Sequence, residues 1–316
     1  MRYLTELSLE AFIEAARNVP YQQISSELFP GIDLWIRRDD LIDPLISGNK
    51  AYKLIYNLLE ARAQGKDTIV TCGGAWSNHI HATAAAGARF DFHTIGIIRG
   101  ERPPALSAML QDAERFGMDL HFVSRVAYRG RNDMDFLAKV GLACENFWFI
   151  PEGGANELGA KGINILADVI CETSPKQFDE CWVASGTGVT LGALAVGLPD
   201  RVKLTGVPVL QGEKSIRKSA ERWACAKGRE RHFDLVENAH HGGYGKCSLT
   251  LLSAQRKCEA LGNLGLEHVY TAKLFCAAAH FAAPIDGNKL VRKNAAPKRI
   301  LLLHTGGLQG RRGLAG

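Results

Sequence analysis

The sequence predicts an α/β protein with two lobes of parallel sheet covered by helices. Two observations carry this. Short apolar runs alternate with helical patterns almost throughout the chain. Clusters of Gly, Ser, Thr and Asn follow several of those runs directly, where sheets of this kind place their binding loops. A third is size, since 316 residues exceed a usual single domain and suit two domains or one carrying an insertion. Pro44 and Glu152-Gly153-Gly154 read as crossing points. The expected organisation is a smaller inserted lobe over 45–153 and a larger lobe from 1–44 and 154–316.

In chain order, Ser47-Gly48-Asn49-Lys50 opens a helix that continues Leu54-Ile55-Tyr56-Asn57-Leu58-Leu59. Thr68–Cys72 reads as a strand and Asn78–Ala88 as a helix, then His93–Ile98 as a strand and Ala105–Phe116 as a helix. Leu120–Val123, Trp148–Ile150, Cys181–Ala184, Val202–Leu210 and Ile300–Leu303 are further strands. Helical patterns cover Lys161–Glu172, Leu191–Leu198 and Ser248–Leu261.

Composition is that of an ordinary globular protein, 46% hydrophobic and 22% charged. The start of the chain lacks the apolar stretch of a signal peptide, and no run is long enough to span a bilayer, so a cytoplasmic protein without membrane partners is expected. The net charge of +5 is scattered, apart from basic stretches at Arg217–Arg231 and Arg292–Arg299. No basic stripe interleaves with aromatics, which argues against nucleic acid, while a small anionic substrate or cofactor suits the surplus. The eight cysteines form no C-x-x-C pair and no zinc spacing with His, so neither disulfides nor a metal is expected.

Four loop segments carry chemistry. The first is Gly48-Asn49-Lys50-Ala51-Tyr52-Lys53. Two lysines in a first helical turn oppose the helix dipole; solvation of both is the bland explanation, and a bound anion with one lysine acting as a Schiff-base nucleophile is the functional one. The second is Ser77-Asn78-His79, which puts three hydrogen-bonding side chains at a strand–helix junction where capping needs one. The third is Ser185-Gly186-Thr187-Gly188-Val189-Thr190, small residues before a helix, suited to cradling a phosphate. Its G-x-G-x-x-x-G pattern also allows a dinucleotide-dependent oxidoreductase, but the acid that such a site needs after the next strand, near Val209, is missing. The fourth is His304-Thr305-Gly306-Gly307, at the end of an apolar strand. Tyr244, among glycines, and Tyr270, in Val269-Tyr270-Thr271, complete the set.

In this order, these motifs resemble the family of 1-aminocyclopropane-1-carboxylate deaminase and D-cysteine desulfhydrase, from about Arg37 to Gly310. The resemblance implies a tryptophan-synthase-β-like fold (fold type II), a pyridoxal 5'-phosphate cofactor, with the larger lobe as the cofactor-binding one, and a homo-oligomer, a dimer. It implies that Lys50 is the Schiff-base lysine. Lys53, Asn78, Gly186, Thr187, Gly188, Val189 and Thr190 match phosphate-binding positions. Ser77 matches a substrate-carboxylate contact, with Asn78 and His79 beside it. Tyr244 and Tyr270 match active-site tyrosines, and Thr305 matches the position facing the pyridine nitrogen. Many relatives have Arg where this chain has Tyr52, and deaminases commonly have Gln where it has His79.

Deaminases of the family typically carry Glu after the second tyrosine and Leu before the Gly-Gly; desulfhydrases carry Ser or Thr, and Thr. Thr271 and Thr305 therefore point to α,β-elimination from D-cysteine or a close β-substituted amino acid, giving pyruvate, ammonia and hydrogen sulfide. Alternatives are cyclopropane deamination to 2-oxobutyrate and ammonia, elimination from cysteate, and a cofactor-binding protein without catalysis. The expected partner is a small amino-acid substrate.

Overall fold

The first described helix, α1 (Leu9–Arg17), is amphipathic and buries Phe12 and Ala16. It belongs to a computed structural model that describes residues 4–142, 145–226, 229–230, 232–282 and 297–314. Cys144, residues 227–228 and 231 of the first basic stretch, and residues 292–296 of the second lie outside the described residues. After α1 come β1 (Tyr21–Ile24), β2 (Ile32–Arg37), α2 (Asn49–Ala63), β3 (Thr68–Gly73), α3 (Asn78–Phe90) and β4 (His93–Arg99). Then follow α4 (Ala108–Arg115), β5 (Met118–Val123), α5 (Phe136–Lys139), β6 (Phe147–Ile150), α6 (Glu157–Thr173), β7 (Glu180–Ser185) and α7 (Val189–Gly197). The chain continues through β8 (Lys203–Pro208), α8 (Glu213–Ala224), β9 (Cys225–Ala226), β10 (Arg229–Glu230), β11 (Asp234–Leu235), α9 (Leu249–Glu259), α10 (Thr271–Ala282) and β12 (Lys298–Leu303).

The chain divides into two compact units, one made of Met1–Ala16, Ile42–Ile163 and Gln309–Gly316, the other of Arg17–Leu41 and Asn164–Leu308. The first unit holds a sheet ordered β5-β4-β3-β6, parallel at every pairing. All six residues of β3 are buried, as expected of a strand with both faces covered. Ile80, Ala84, Ile98, Leu110 and Met118 form one apolar cluster of this unit; Val70, Cys72, Ile97, Tyr128 and Phe136 form another.

The second unit holds a sheet ordered β1-β2-β12-β7-β8-β11. Its pairings are parallel except at the edge, where β1 runs antiparallel to β2. The alternating pattern of an all-parallel sheet does not foretell that edge, because a short hairpin-like return needs no crossover helix. The core includes Leu34, Ile36, Trp182, Val207, Leu274 and Leu302. β12 and β7 are adjacent and parallel, so the loops after Leu303 and Ser185 leave the sheet at the same carboxyl edge.

Among the described residues, no helix is long and apolar enough to cross a membrane, and no group of three or more His, Cys, Asp or Glu is arranged to hold a metal ion.

Candidate active site

In the first unit, Gly48 stands at the start of α2 without a side-chain cap, and Lys50 and Lys53 fall in the first turns of the helix. The Lys50 Nζ donates to Asn49 Oδ1 at 3.0 Å. Lys53 is 2% exposed, and its Nζ donates to the Gly153 carbonyl at 3.1 Å. Burial, and then the charge of Lys50, pushes the Lys53 ammonium well below its ordinary pKa. A bound anion would offset both effects, and the helix start adds its own preference for negative charge.

Ser77 caps α3, its Oγ accepting from the Ile80 N–H at 3.3 Å. Capping thus accounts for Ser77, while its O–H stays able to donate. It does not account for the two residues that follow. Asn78 Oδ1 and both ring nitrogens of His79 are buried without a hydrogen-bond partner in the protein. Such groups cost about 1–3 kcal/mol each unless something else pairs with them. The His79 ring is held neutral by burial first, and then by the charges of Lys50 and Lys53. A Cβ built on Gly154 would stand 3.0 Å from Lys53 Cβ and 3.5 Å from His79 Cε1, so the Glu152–Gly154 turn packs on both. The structure therefore brings Lys50, Lys53 and His79 together, with Asn78 one residue away.

That turn was missed as a support. Glu152 accepts from the Tyr128 hydroxyl at 2.9 Å and from Arg131 Nε at 2.6 Å, which anchors the carbonyl that Lys53 uses.

In the second unit, Ser185-Gly186-Thr187-Gly188 links β7 to α7, so the loop leads directly into the first turn of that helix. Gly188 has φ +82°, and a Cβ there would stand 2.8 Å from the Ala220 backbone nitrogen, so neither the conformation nor the space admits a side chain. This close approach belongs to α8, an amphipathic helix that carries the start of the basic stretch and packs its Ile216 and Ala220 face on α7. Ser185 Oγ, buried just before the cradle, also lacks a partner in the protein.

Thr305 lies at the same carboxyl edge, 7% exposed. His304 holds its loop: Nε2 donates to the Gly265 carbonyl at 2.7 Å, and Nδ1 accepts from the Gly306 N–H at 3.3 Å. Burial lowers the His304 pKa and keeps this neutral arrangement. Tyr270 is placed over the cradle, since a Cβ on Gly186 would meet its Cε1 at 3.3 Å. The Tyr244 ring meets the Tyr270 ring edge-on, centroids 6.4 Å apart at 79°. Within this unit the predicted residues Gly186–Thr190, Thr305, Tyr270 and Tyr244 thus gather at one edge of the sheet. Two buried charged residues beside them, Glu267 and Lys273, were missed. The signal for Lys273 was a charge inside an otherwise apolar helix, with Leu274-Phe275-Cys276-Ala277 following it directly.

The family model described as Pyridoxal-phosphate dependent enzyme matches residues 14–306. The chain belongs to the pyridoxal-phosphate-dependent enzyme family. It is similar to a Thermotoga maritima protein named "Putative 1-aminocyclopropane-1-carboxylate deaminase", 30% identical over 294 residues, covering 89% of this chain and 90% of the relative. A Yersinia pestis D-cysteine desulfhydrase is 30% identical over 295 residues, 88% of this chain and 87% of the relative. A crystal structure of an ACC deaminase homologue superposes with a TM-score of 0.72 at 26% identity, over 92% of this chain and 90% of that one.

The cofactor of this family is pyridoxal 5'-phosphate, and the residues present fit it. Each unit offers buried polar atoms that lack a partner in the protein, in the first Asn78 Oδ1 and the His79 ring and in the second Ser185 Oγ. The first unit adds the amines of Lys50 and Lys53 at a helix start, and the second a glycine-rich helix start. These are the donors that an anionic, aromatic aldehyde requires.

Proposed function

We propose that this pyridoxal-phosphate enzyme catalyses α,β-elimination from D-cysteine or a close β-substituted amino acid, releasing pyruvate, ammonia and hydrogen sulfide. The observation that carries the reading is the pair Thr271 and Thr305, a neutral hydroxyl where the deaminase pattern has the carboxylate of Glu and a hydroxyl where it has Leu. Thr305 is buried at the carboxyl edge of β12, and its hydroxyl offers a weak, uncharged partner to a pyridine nitrogen. A neutral partner suffices when a good leaving group departs from Cβ. Opening a cyclopropane ring is harder and calls for a more strongly polarised ring.

When bound, the cofactor supplies a conjugated system that delocalises the charge left on Cα. The protein's part divides by residue. Lys50 Nζ would anchor the cofactor and, when its amine is free, would take the Cα proton; one of the tyrosine hydroxyls is the other candidate base. The groups assigned to the phosphate are Lys53 and Asn78 in the first unit and the backbone of Gly186–Thr190 in the second. The Ser77 hydroxyl, the Asn78 amide N–H2 and the one N–H of the neutral His79 ring are the donors assigned to the substrate carboxylate. Tyr244 and Tyr270 supply phenol protons near the departing group. The released enamine hydrolyses to pyruvate and ammonia.

The similarity to proteins named as deaminase and as desulfhydrase is equal at 30% identity, which supports the reaction class but favours neither substrate. Cyclopropane deamination is therefore the second reading. The deciding experiment offers D-cysteine and 1-aminocyclopropane-1-carboxylate in parallel to the cofactor-loaded protein and measures pyruvate and 2-oxobutyrate. Pyruvate and hydrosulfide from D-cysteine alone are expected. 2-Oxobutyrate from the cyclopropane substrate would overturn the role given to the two threonines and leave the cofactor residues standing.

A further inference from the structure

Two buried charges flank Tyr270 in sequence, and neither has a part in the chemistry described above. Glu267 is 1% exposed. Its carboxylate accepts the backbone N–H groups of Val269 at 2.8 Å, Tyr270 at 2.5 Å and Thr271 at 2.9 Å. Thr271 answers, its Oγ1 accepting from the Glu267 N–H at 2.8 Å. The reciprocal pattern is that of a capping box, and it pins the backbone on both sides of Tyr270.

Lys273, one turn further along α10, is 0% exposed. Its Nζ donates to the Gly243 carbonyl at 2.8 Å and to the Val209 carbonyl at 3.1 Å. Val209 directly follows β8, and Gly243 directly precedes Tyr244. The same ammonium thus joins the helix behind Tyr270, the carboxyl edge of the sheet and the loop that carries Tyr244. That loop has little stiffness of its own, since Gly242, Gly243 and Gly245 all have positive φ. A lesser tie comes from Gln211, whose Nε2 donates to the Gly242 carbonyl at 3.1 Å.

A buried ammonium is an expensive way to stabilise a core, and an apolar residue of similar length does that better. What it adds is geometry: two carbonyls from different elements must point at one nitrogen. Burial lowers the Lys273 pKa to about 8, and the negative charge of Glu267 opposes that fall. His241, His268 and Cys247 are the other titratable groups that feel the charge of Lys273.

We propose that Lys273, with Glu267, is a positioning residue that sets the Tyr244 hydroxyl relative to Tyr270 by clamping the Gly243 carbonyl. Its value to catalysis rests on the reading of both tyrosines as active-site groups; the clamp itself does not. The test uses full-length, cofactor-loaded Lys273→Met and follows amide hydrogen exchange by mass spectrometry. Peptides covering 240–246 are expected to exchange at least about 10-fold faster, with β3, β7 and α3 unchanged. kcat is expected to fall about 10- to 100-fold while KM moves less than about 3-fold, as for a misplaced catalytic group. Unchanged exchange over 240–246, or acceleration spread evenly over the second unit, overturns the proposal. If Lys273→Met does not fold, Lys273→Gln keeps only a shorter, uncharged amide donor; faster exchange over 240–246 supports the clamp and wild-type exchange defeats it. Tyr244→Phe separates the two ideas, because full turnover in that variant removes the tyrosine from the chemistry while the exchange result still decides the clamp.

Discussion

The Tyr52 carbonyl oxygen lies so close to Gly162 that a Cβ on the glycine would stand 1.8 Å from it. Helix α6 therefore presses its backbone onto the first turns of α2, next to Lys53. The Tyr52 ring is fully buried and meets Phe12 edge-on at 5.1 Å. Tyr52, the departure from the Arg of many relatives, is thus a packing residue. Gly162→Ala should cost about 1–3 kcal/mol, as overpacking does. The check is a lower denaturation midpoint together with weaker cofactor retention, because the strain falls on the helix that carries Lys50 and Lys53. An unchanged midpoint would mean that α6 moves away freely.

Lys50→Ala removes the amine assigned to the cofactor. Turnover should fall by roughly 10²–10⁴-fold or more, and the visible absorbance of covalently held cofactor should vanish. Phosphate-side binding should survive, so cofactor added in excess should still protect the variant against heat. Normal turnover would remove Lys50 from the mechanism.

Thr271 and Thr305 do not make equivalent probes of substrate choice. Thr271 is fully buried and locked into the Glu267 cap. Thr271→Glu would place a second carboxylate against one that burial already raises to about 7, and it should destabilise the fold by about 3 kcal/mol or more. Loss of activity there would say nothing about specificity. Thr305 stands at a loop start, so Thr305→Leu is the clean probe. It removes the hydroxyl offered to the pyridine nitrogen and should lower kcat/KM for D-cysteine about 10-fold or more; an unchanged kcat/KM would remove Thr305 from the argument about substrate choice.

Much of this was legible because local pattern and tertiary need agree. The run at Thr68–Cys72 is buried on both faces, so its apolar continuity and its strand are one fact. The Gly186–Gly188 loop was readable because small residues between a strand and a helix mark a tight turn, as the positive φ of Gly188 shows. What stayed hidden depends on partners distant in sequence. β1 is an antiparallel edge because β2 is free to take it, which no periodicity records. The basic face of α8 masked the Ile216–Ala220 stripe that packs on Gly188. Lys273 looks like any lysine until the carbonyls of Val209 and Gly243, 64 and 30 residues away, are seen around it.

Cysteine reactivity should follow burial. Cys171 and Cys225 are exposed, whereas Cys72, Cys181 and Cys258 are buried. Burial pushes the Cys72 and Cys258 thiols up to about 12 and raises Cys181 as well. At pH 8 a thiol of that pKa is thiolate in roughly one molecule in ten thousand. Alkylation of the native protein, mapped by peptide mass, should mark Cys225 and Cys171 first and the buried three only after denaturation. Early labelling of Cys72 would mean that β3 opens readily.

His79 should leave an acid signature on stability. Its ring is 1% exposed, and its pKa is lowered by burial and then by Lys50 and Lys53. Below the ordinary histidine value of about 6.5, the unfolded chain binds a proton that the folded chain refuses, so stability falls as pH falls. The slope from this one group reaches about 1.4 kcal/mol per pH unit. His304 is also lowered, but it is present in both proteins compared and cancels. His79→Gln removes the titration and keeps an amide able to pair with a carboxylate. Denaturation midpoints of the two proteins, followed from pH 7 to pH 5, should diverge in favour of Gln as the solution becomes acidic. Parallel curves would mean that His79 takes its proton as readily folded as unfolded, and the neutral imidazole assigned to the substrate carboxylate would then be wrong.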